Sequence, residues 1–334
     1  MMARRSIIPI FVPHLGCPHM CVFCNQNRIS GNEKPATAED VKKTVDEALK
    51  ILPRDTEKTI AFYGGSFTAI PSDEQEKLLS AAAEYVEDGR IKGIRLSTRP
   101  DAIDGEVISR LKRYGVRTVE LGVQSMDDEV LKASNRGHTA EDAVRAAAAL
   151  KESGFELILQ MMTGLPMDTP EKSILTARKF VSMEPDGVRI YPTVIIKDTE
   201  LYDKWKRGEY PEHSLDAAVE LSADLLDIFE AANIPVIRLG LNPTEDLSGG
   251  NAAGGAYHPA LRELAEARRY LRLERELLSA EDAGADVVFA VPKGKISQAA
   301  GQHRSNIESV KNEFKLKSVK LIERDSGEKI ARIK

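Results

Sequence analysis

Short apolar runs alternate with amphipathic stretches along most of the chain, and their spacing assigns strands and helices in turn. Ser6–Val12 reads as a short buried strand. Thr37–Leu52 has helical spacing, with Thr37 as N-cap and Glu39 and Asp40 in the first turn, where carboxylates meet the positive end of the helix dipole. Strand Thr59–Tyr63 ends at Gly64-Gly65. Helix Asp73–Val86, strand Gly93–Ser97, helix Gly105–Arg113, strand Thr118–Leu121, helix Ala140–Lys151 and strand Glu156–Met162 follow. Helix Pro170–Ser182, strand Gly187–Tyr191, helix Ser214–Ala232 and strand Pro235–Leu239 complete the series. Repeated strand–helix units of this kind call for an α/β fold, a parallel sheet covered by helices. Seven strands over roughly 230 residues point to a complete or partial (β/α) barrel, whose strand ends converge on one face. Periodicity cannot count closure, so a doubly wound open sheet is the other fold it allows.

Beyond Gly240 the rhythm changes, which sets the expected boundary between a core of residues 1–240 and a small α/β C-terminal domain of residues 241–334. Gly249–Ala256 is small and flexible in composition, a loop or lid. His258–Leu278 is a charged helix, Asp286–Val291 a strand, Ile296–Phe314 helical in two pieces and Ser318–Ile322 a further strand. No internal repeat appears.

Composition adds limits. At 334 residues, 42% hydrophobic and 30% charged, the chain is an ordinary globular protein with length for a sizeable core. No apolar stretch approaches the ~20 residues that span a bilayer, and the start lacks the long apolar region of a signal peptide. A cytoplasmic protein with no membrane partner is therefore expected. The net charge of −5 excludes a generally basic nucleic-acid binder. Yet Lys293–Lys334 carries eleven Lys/Arg against five Asp/Glu, so the tail is basic while the rest is acidic.

The candidate chemistry sits in Gly16-Cys17-Pro18-His19-Met20-Cys21-Val22-Phe23-Cys24-Asn25-Gln26, which holds all three cysteines. An odd thiol count cannot close a disulfide framework. Zinc normally takes four Cys/His ligands and would have to recruit His14 or His19. A [4Fe–4S] cubane fits better, because it takes one ligand per iron and three thiolates leave one iron open to an exogenous ligand.

Cys-x3-Cys-x2-Cys with an aromatic before the last cysteine resembles the signature of the radical S-adenosylmethionine (SAM) superfamily. In order along the chain, Gly64-Gly65-Ser66-Phe67, Ser97-Thr98-Arg99-Pro100-Asp101, Glu120-Leu121-Gly122-Val123-Gln124-Ser125 and Asn135-Arg136-Gly137-His138-Thr139 follow. Gln160-Met161-Met162-Thr163-Gly164-Leu165-Pro166, Tyr191-Pro192-Thr193 and Thr199-Glu200-Leu201-Tyr202 complete the set. Together they resemble the branch of the catalytic subunit of the Elongator tRNA-modifying complex, from Ile8 to about Tyr210. Each motif alone is weak, and their ordered set is specific.

The resemblance implies a radical SAM barrel in which Cys17, Cys21 and Cys24 hold the cluster and SAM is the second cofactor. Phe23 would lie against the adenine, an aromatic face suiting a purine. Gly64 and Gly65 would let backbone groups approach the methionine amino group, with Ser66 adding a hydroxyl. By the family's pattern, Ser97 and Gln124 would face the ribose, Arg136 the SAM carboxylate, and Gln160 would help hold the nucleoside. His138 reads as a hydrogen-bonding residue, and Met161 and Met162 as core. Ser97 stands where the branch carries Glu, and Gln160 where it carries His. The branch's acetyltransferase-like domain is expected to have no counterpart after residue 240, so carboxymethyl chemistry on wobble uridine does not carry over directly.

Ile296–Ile307 resembles the helix–loop–helix of a KH domain, KH-like character starting from about residue 286, with Arg304 in place of the second loop glycine. Lys293, Lys295, His303, Arg304 and Lys311 are the candidate phosphate contacts, beside the blander reading of a capping element with a solvated basic face. The reading that results is a radical SAM enzyme acting in tRNA or RNA modification and served by a reductant protein of flavodoxin or ferredoxin type. A small-molecule enzyme akin to oxygen-independent coproporphyrinogen oxidase, and a non-enzymatic metal- or RNA-binding protein, are the alternatives.

Overall fold

A computed structural model describes residues 5–12, 17, 20–25, 36–242, 247–324 and 329–333. His14 and His19, the histidines a zinc site would need, lie outside the described residues, as does Gln26. The chain divides into two compact units, Met1–Ser214 with Ile228–Tyr257, and Leu215–Asp227 with His258–Lys334.

In the first unit, strands β1 (Arg5–Phe11), β2 (Glu57–Tyr63), β3 (Gly93–Thr98), β4 (Val116–Gln124), β5 (Glu156–Thr163) and β6 (Gly187–Pro192) pair in sequence order, all parallel. Strand β7 (Val194–Ile196) leaves the sheet, and β8 (Val236–Leu239) closes the order against β6. Strand order never reverses, which rules out the doubly wound alternative, since that fold turns back at a switch point.

The sheet is also curled into a half-barrel. In a flat sheet, four spacings of about 4.8 Å would put β2 and β6 about 19 Å apart, beyond the joint reach of two side chains. Yet Arg189 Nη2 on β6 lies 3.2 Å from the Tyr63 hydroxyl on β2. Alternation along the strands decides the faces. Ile8, Ile10, Ile60, Phe62, Ile94, Leu96, Val119, Leu121, Leu157 and Leu159 are buried, while the residues between them face the concave side.

The connecting helices are α1 (Ala38–Ile51), α2 (Ser72–Glu87), α3 (Gly105–Arg113), α4 (Asp128–Ala133), α5 (Ala140–Glu152), α6 (Pro170–Met183) and α7 (Glu200–Lys206). Their starts are set by local chemistry. Thr37 and Thr139 form capping boxes with Asp40 and Asp142, and Asp104, Asp127, Thr169 and Thr199 cap α3, α4, α6 and α7. The small-residue stretch expected as a loop or lid is partly ordered. Its Ala252–Gly255 forms strand β9, antiparallel to β7, which gives the extended backbone a hydrogen-bonding partner that the composition does not announce.

Helix α8 (Leu215–Ala231) contributes its Leu215–Asp227 portion to the second unit. There Asp216, Glu220, Asp224 and Asp227, spaced by one helical turn, meet Arg268, Arg269 and Arg272 of helix α9 (Leu261–Glu276). Strand β10 (Asp286–Val291) pairs parallel with β11 (Ser318–Glu323) and antiparallel with β12 (Ala331–Ile333). Between β10 and β11 run helices α10 (Ile296–Ala300) and α11 (Ser305–Glu313). Leu271, Val287, Phe289, Ile307, Val310 and Val319 make this unit's core. No helix of the described residues is long and apolar enough to cross a membrane.

Candidate active site

The loops at the C-terminal ends of β1–β5 bring the cysteine segment to one edge of the half-barrel. The segment has little regular structure, so its position depends on what moors it. Val22 N–H donates to the Ser134 carbonyl at 3.2 Å, and Asn135 Nδ2 to the Met20 carbonyl at 2.8 Å. From the other side, Leu201 N–H donates to the Val22 carbonyl at 2.7 Å, and Asn25 Nδ2 to the Asp198 carbonyl at 3.4 Å. A tight turn joins the last two cysteines, Cys24 N–H to Cys21 carbonyl at 3.0 Å. Two of the motifs read from the sequence, those at Asn135 and at Thr199–Tyr202, thus act as clamps on the cysteine loop.

Arg136 ties this loop to the sheet. Its Nη1 donates to Cys21 Sγ at 3.2 Å and its Nη2 to the Gly122 carbonyl at 2.6 Å. Buried Arg99 fixes the backbone behind it by donating to the Arg136 carbonyl at 2.5 Å and pairing with Asp101 at 2.5 Å. Gln124 adopts φ 68° at a bulge of β4, and a Cβ on Gly122 would stand 3.0 Å from its amide nitrogen and 3.4 Å from Arg136 Nη2. Cys21, Gly122, Gln124 and Arg136 therefore form one contact set. Cys17, exposed as a residue, has its thiol raised by desolvation. A hydrogen bond with the Ser66 backbone draws it down again, the Cys21 sulfur raises it, and Arg136 and Arg99 lower it.

The other candidates are placed as follows. Gly64 takes φ 103°, a conformation glycine adopts without penalty, at the turn after β2 that carries Gly65 and buried Ser66 to Cys17. Phe23 is half-buried against the cluster of Val22, Ile195, Leu201 and Tyr210. Ser97 pairs in register with Glu120 on the concave face. His138 is buried on the Val123 carbonyl at 3.2 Å, and burial, with Arg136 adding, lowers its pKa to about 4, so it is neutral at physiological pH. Gln160 has its amide donating to Glu120 at 3.0 Å.

That contact reveals a second group, one layer below, in which Glu120 and Tyr191 stand in motifs without an assigned role and Tyr63, Arg95 and Arg189 stand in none. Glu120, fully buried, accepts from Tyr63 at 2.9 Å and Gln160 at 3.0 Å, and meets Arg95 at 3.0 Å and Arg189 at 2.8 Å. Arg189 also donates to Tyr191 at 3.3 Å. Burial first, then the Glu120 carboxylate, pushes the Tyr63 phenol well above its ordinary value. The missed signal was a carboxylate inside the apolar run Val119–Val123 of β4, Glu120.

In the second unit, Lys293 and Lys295 precede α10, and His303 and Arg304 follow it, with Lys311 on α11. His303 and Arg304 are exposed and take φ 51° and 64°, the left-handed region.

Three thiols on one loop, with a guanidinium at one sulfur and a backbone hydrogen bond at another, suit an anionic cluster that takes three protein ligands. Among the described residues no three His, Cys, Asp or Glu side chains gather as around a single metal ion.

Comparison with known proteins agrees with this chemistry. The family model described as "Radical SAM superfamily" matches residues 11–181, and a Radical SAM C-terminal domain model matches residues 185–272. Elongator complex protein 3 of Homo sapiens is 30% identical over 301 residues, 77% of this chain and 54% of that protein. The tRNA uridine(34) acetyltransferase of Methanocaldococcus infernus is 28% identical over 259 residues, 65% of this chain and 48% of that protein. The chain spans about half the length of the curated relatives it matches. Among solved structures, an archaeal Elp3 of Methanocaldococcus infernus superposes with TM-score 0.63 at 24% identity, covering 84% of this chain and 65% of that one. Coproporphyrinogen III oxidase of Escherichia coli gives 0.52 at 17% identity, covering 69% of this chain and 53% of that one. At these identities the superpositions speak for the fold.

Proposed function

The chain belongs to the radical SAM superfamily, and on that premise we propose that it cleaves SAM reductively to begin hydrogen abstraction from an RNA substrate of the tRNA class. Its cofactors are a [4Fe–4S] cluster and SAM. When bound and reduced, the cluster supplies an electron to the SAM sulfonium, releasing methionine and a 5′-deoxyadenosyl radical able to attack an unactivated C–H bond.

The protein's part is binding and orientation. Cys17, Cys21 and Cys24 would hold the cluster. Arg136 sits against Cys21 with its backbone fixed by Arg99, so its guanidinium is set before any ligand arrives, which lowers the ordering cost of binding a carboxylate. Gln124 and Ser97 offer polar groups for a ribose. Gly64, Gly65 and Ser66 offer backbone and hydroxyl groups near Cys17, and Phe23 an aromatic surface. Gln160, whose amide N–H is held by Glu120, would offer its carbonyl oxygen to the nucleoside. The contact set of Cys21, Gly122, Gln124 and Arg136 is the observation that carries the reading.

Two observations support tRNA as the substrate class. Both curated relatives named above carry tRNA- or Elongator-related names. The basic tail also presents Arg304 in a strained left-handed conformation, which is the conformation a loop glycine would take. A soluble reductant of flavodoxin or ferredoxin type completes the scheme, and the cytoplasm is where these partners meet.

The test is anaerobic reconstitution with iron and sulfide, then dithionite and SAM, with 5′-deoxyadenosine quantified with and without bulk tRNA. Production in wild type, loss in Cys24→Ala, and stimulation by tRNA are expected. A cluster that forms yet never yields 5′-deoxyadenosine would sink the enzyme reading in favour of a structural metal.

A further inference from the structure

The Glu120 layer is the floor of the half-barrel, beneath the edge where the cysteine loop lies. Register places its members on one face. Ser97 pairs with Glu120, Gly122 with Gln160 and Gln160 with Arg189, while Arg95 lies two residues before Ser97 on β3; Arg238 pairs with Arg189 across an irregularity of β8 and acts electrostatically on Tyr191. Three guanidiniums, Arg95, Arg189 and Arg238, thus share this floor with one carboxylate, Glu120.

That balance is unusual in a recessed place. The Arg95 and Arg189 side chains are 13% and 14% exposed and Glu120 is 0% exposed. Taking charges out of water is costly unless they are paired. Glu120 is saturated, since Tyr63, Arg95 and Arg189 reach one oxygen and Gln160 and Arg189 the other. It can neutralise one cation, and it holds Arg95 and Arg189 in place. Arg95 reaches Glu120 only through Nε, and its terminal nitrogens have no protein partner among the described residues. Arg238 is half-buried and spends Nε on the Gly240 carbonyl at 3.0 Å, which leaves its terminal nitrogens unassigned. The floor therefore has two more positive charges than negative ones, and guanidinium N–H groups of Arg95 and Arg238 that no protein acceptor takes among the described residues.

We propose that this floor is a receptor for an oxyanion of the substrate, a carboxylate or a phosphate, bound between Arg95, Arg189 and Arg238 with the Tyr63 and Tyr191 hydroxyls beside it. Guanidinium forks match both groups bidentately. The inference deepens the reading of the same half-barrel as a radical enzyme's substrate chamber and rests on that reading for the occupant's role. A substrate anchored here by its anion would have a neighbouring C–H bond held above the floor, towards the cysteine loop. Specificity would come from the forks, because a site built to pair an anion rejects neutral analogues strongly.

The test is isothermal titration under anaerobic conditions, on cluster-loaded protein saturated with SAM so that SAM's own carboxylate is already accommodated. Acetate, malonate and inorganic phosphate are each titrated against chloride at matched ionic strength. At least one oxyanion is expected to give saturable heat that chloride does not, with affinity falling tenfold or more in Arg238→Gln and in Arg95→Gln. Arg95→Gln removes a partner of buried Glu120 and can fail to fold. Arg238→Gln leaves every Glu120 contact in place and keeps the proposal open to refutation. The source of the anion separates in a second arm. Competition between inorganic phosphate and bulk tRNA supports a nucleic-acid phosphate as occupant, and malonate binding indifferent to tRNA supports a small carboxylate. No oxyanion bound better than chloride, or unchanged binding in a folded Arg238→Gln protein, overturns the proposal. Because the readout is heat, a protein that binds malonate yet never cleaves SAM refutes the radical reading and leaves the floor standing, and the converse result does the reverse.

Discussion

Gly122 shows how finely single residues set this site. Its carbonyl takes the Arg136 guanidinium, and its missing side chain leaves room for the Gln124 amide and Arg136 Nη2. A Cβ there would stand 3.0 Å from Gln124 Nε2, the mobile end of a flexible side chain, so the fold can absorb it while the site cannot keep its arrangement. Gly122→Ala is accordingly expected to leave the urea midpoint within about 1 kcal/mol of wild type. SAM affinity should fall by an order of magnitude, about 1.4 kcal/mol. Equilibrium dialysis with labelled SAM on cluster-loaded protein reads this directly. Unchanged SAM affinity would mean that Gln124 and Arg136 do not meet SAM from this position. The same residues show what the sequence could disclose. The cysteines, Gln124 and Arg136 stand inside short ordered motifs, so the amino-acid sequence alone is enough to single them out. Glu120 also stands in such a motif, but its role depends on Tyr63, Arg95, Gln160 and Arg189, which come from four other strands. No local pattern encodes which strands a curled sheet brings face to face.

Elements were legible where burial imposes a period. The apolar cores of β1–β6 and the capped helices α1, α3, α5 and α6 announced themselves because each buries one face and each cap is a local interaction, whereas the short capped helices α4 and α7 are too brief to show a period. Strands β7 and β9 did not, since three consecutive apolar residues and four small ones carry no alternation. Helix α9 hides a different departure. It reads as a charged helix, and most of its charges are paired, but Glu274 is fully buried with neither carboxylate oxygen bonded among the described residues. Burial alone raises its pKa to about 8, against 4.5 for a free carboxyl. The folded protein therefore keeps a proton that the unfolded chain releases. The stability associated with protonated Glu274 is fully present below the unfolded pKa and is lost as pH rises through the folded one. Glu274→Gln keeps the volume and cannot ionise, and all other titrations are common to both proteins. Relative to that variant, wild type should lose stability by up to about 1.4 kcal/mol per pH unit between pH 5 and 8, and then level off. Urea titrations at pH 5.5, 7 and 8.5 decide it. Parallel curves for the two proteins would show that Glu274 carries no uncompensated charge when folded.

At the scale of the whole molecule the charge is divided. The net −5 combines eleven Lys/Arg and five Asp/Glu from Lys293 onward with an acidic remainder, so any polyanion approaching the chain is steered towards the tail. The turn between α10 and α11 tests whether that charge serves a partner. His303 and Arg304 both sit at positive φ, 51° and 64°, and each forgoes the roughly 1 kcal/mol that glycine would save there. Strain kept on an exposed arginine is worth its cost where the side chain meets a ligand. If Arg304 contacts RNA phosphate, Arg304→Gly should act in opposite directions on two measurements. Stability should rise by about 0.5–1 kcal/mol, the relieved strain less the added backbone entropy of glycine. Affinity for bulk tRNA should fall, and the slope of log affinity against log salt should shrink by about 0.7–0.9, one phosphate contact. A solvated basic face with no partner predicts the first change without the second. Filter binding at several salt concentrations beside a urea titration of the same two proteins separates these cases, because no loss of folding can both stabilise the protein and flatten its salt dependence.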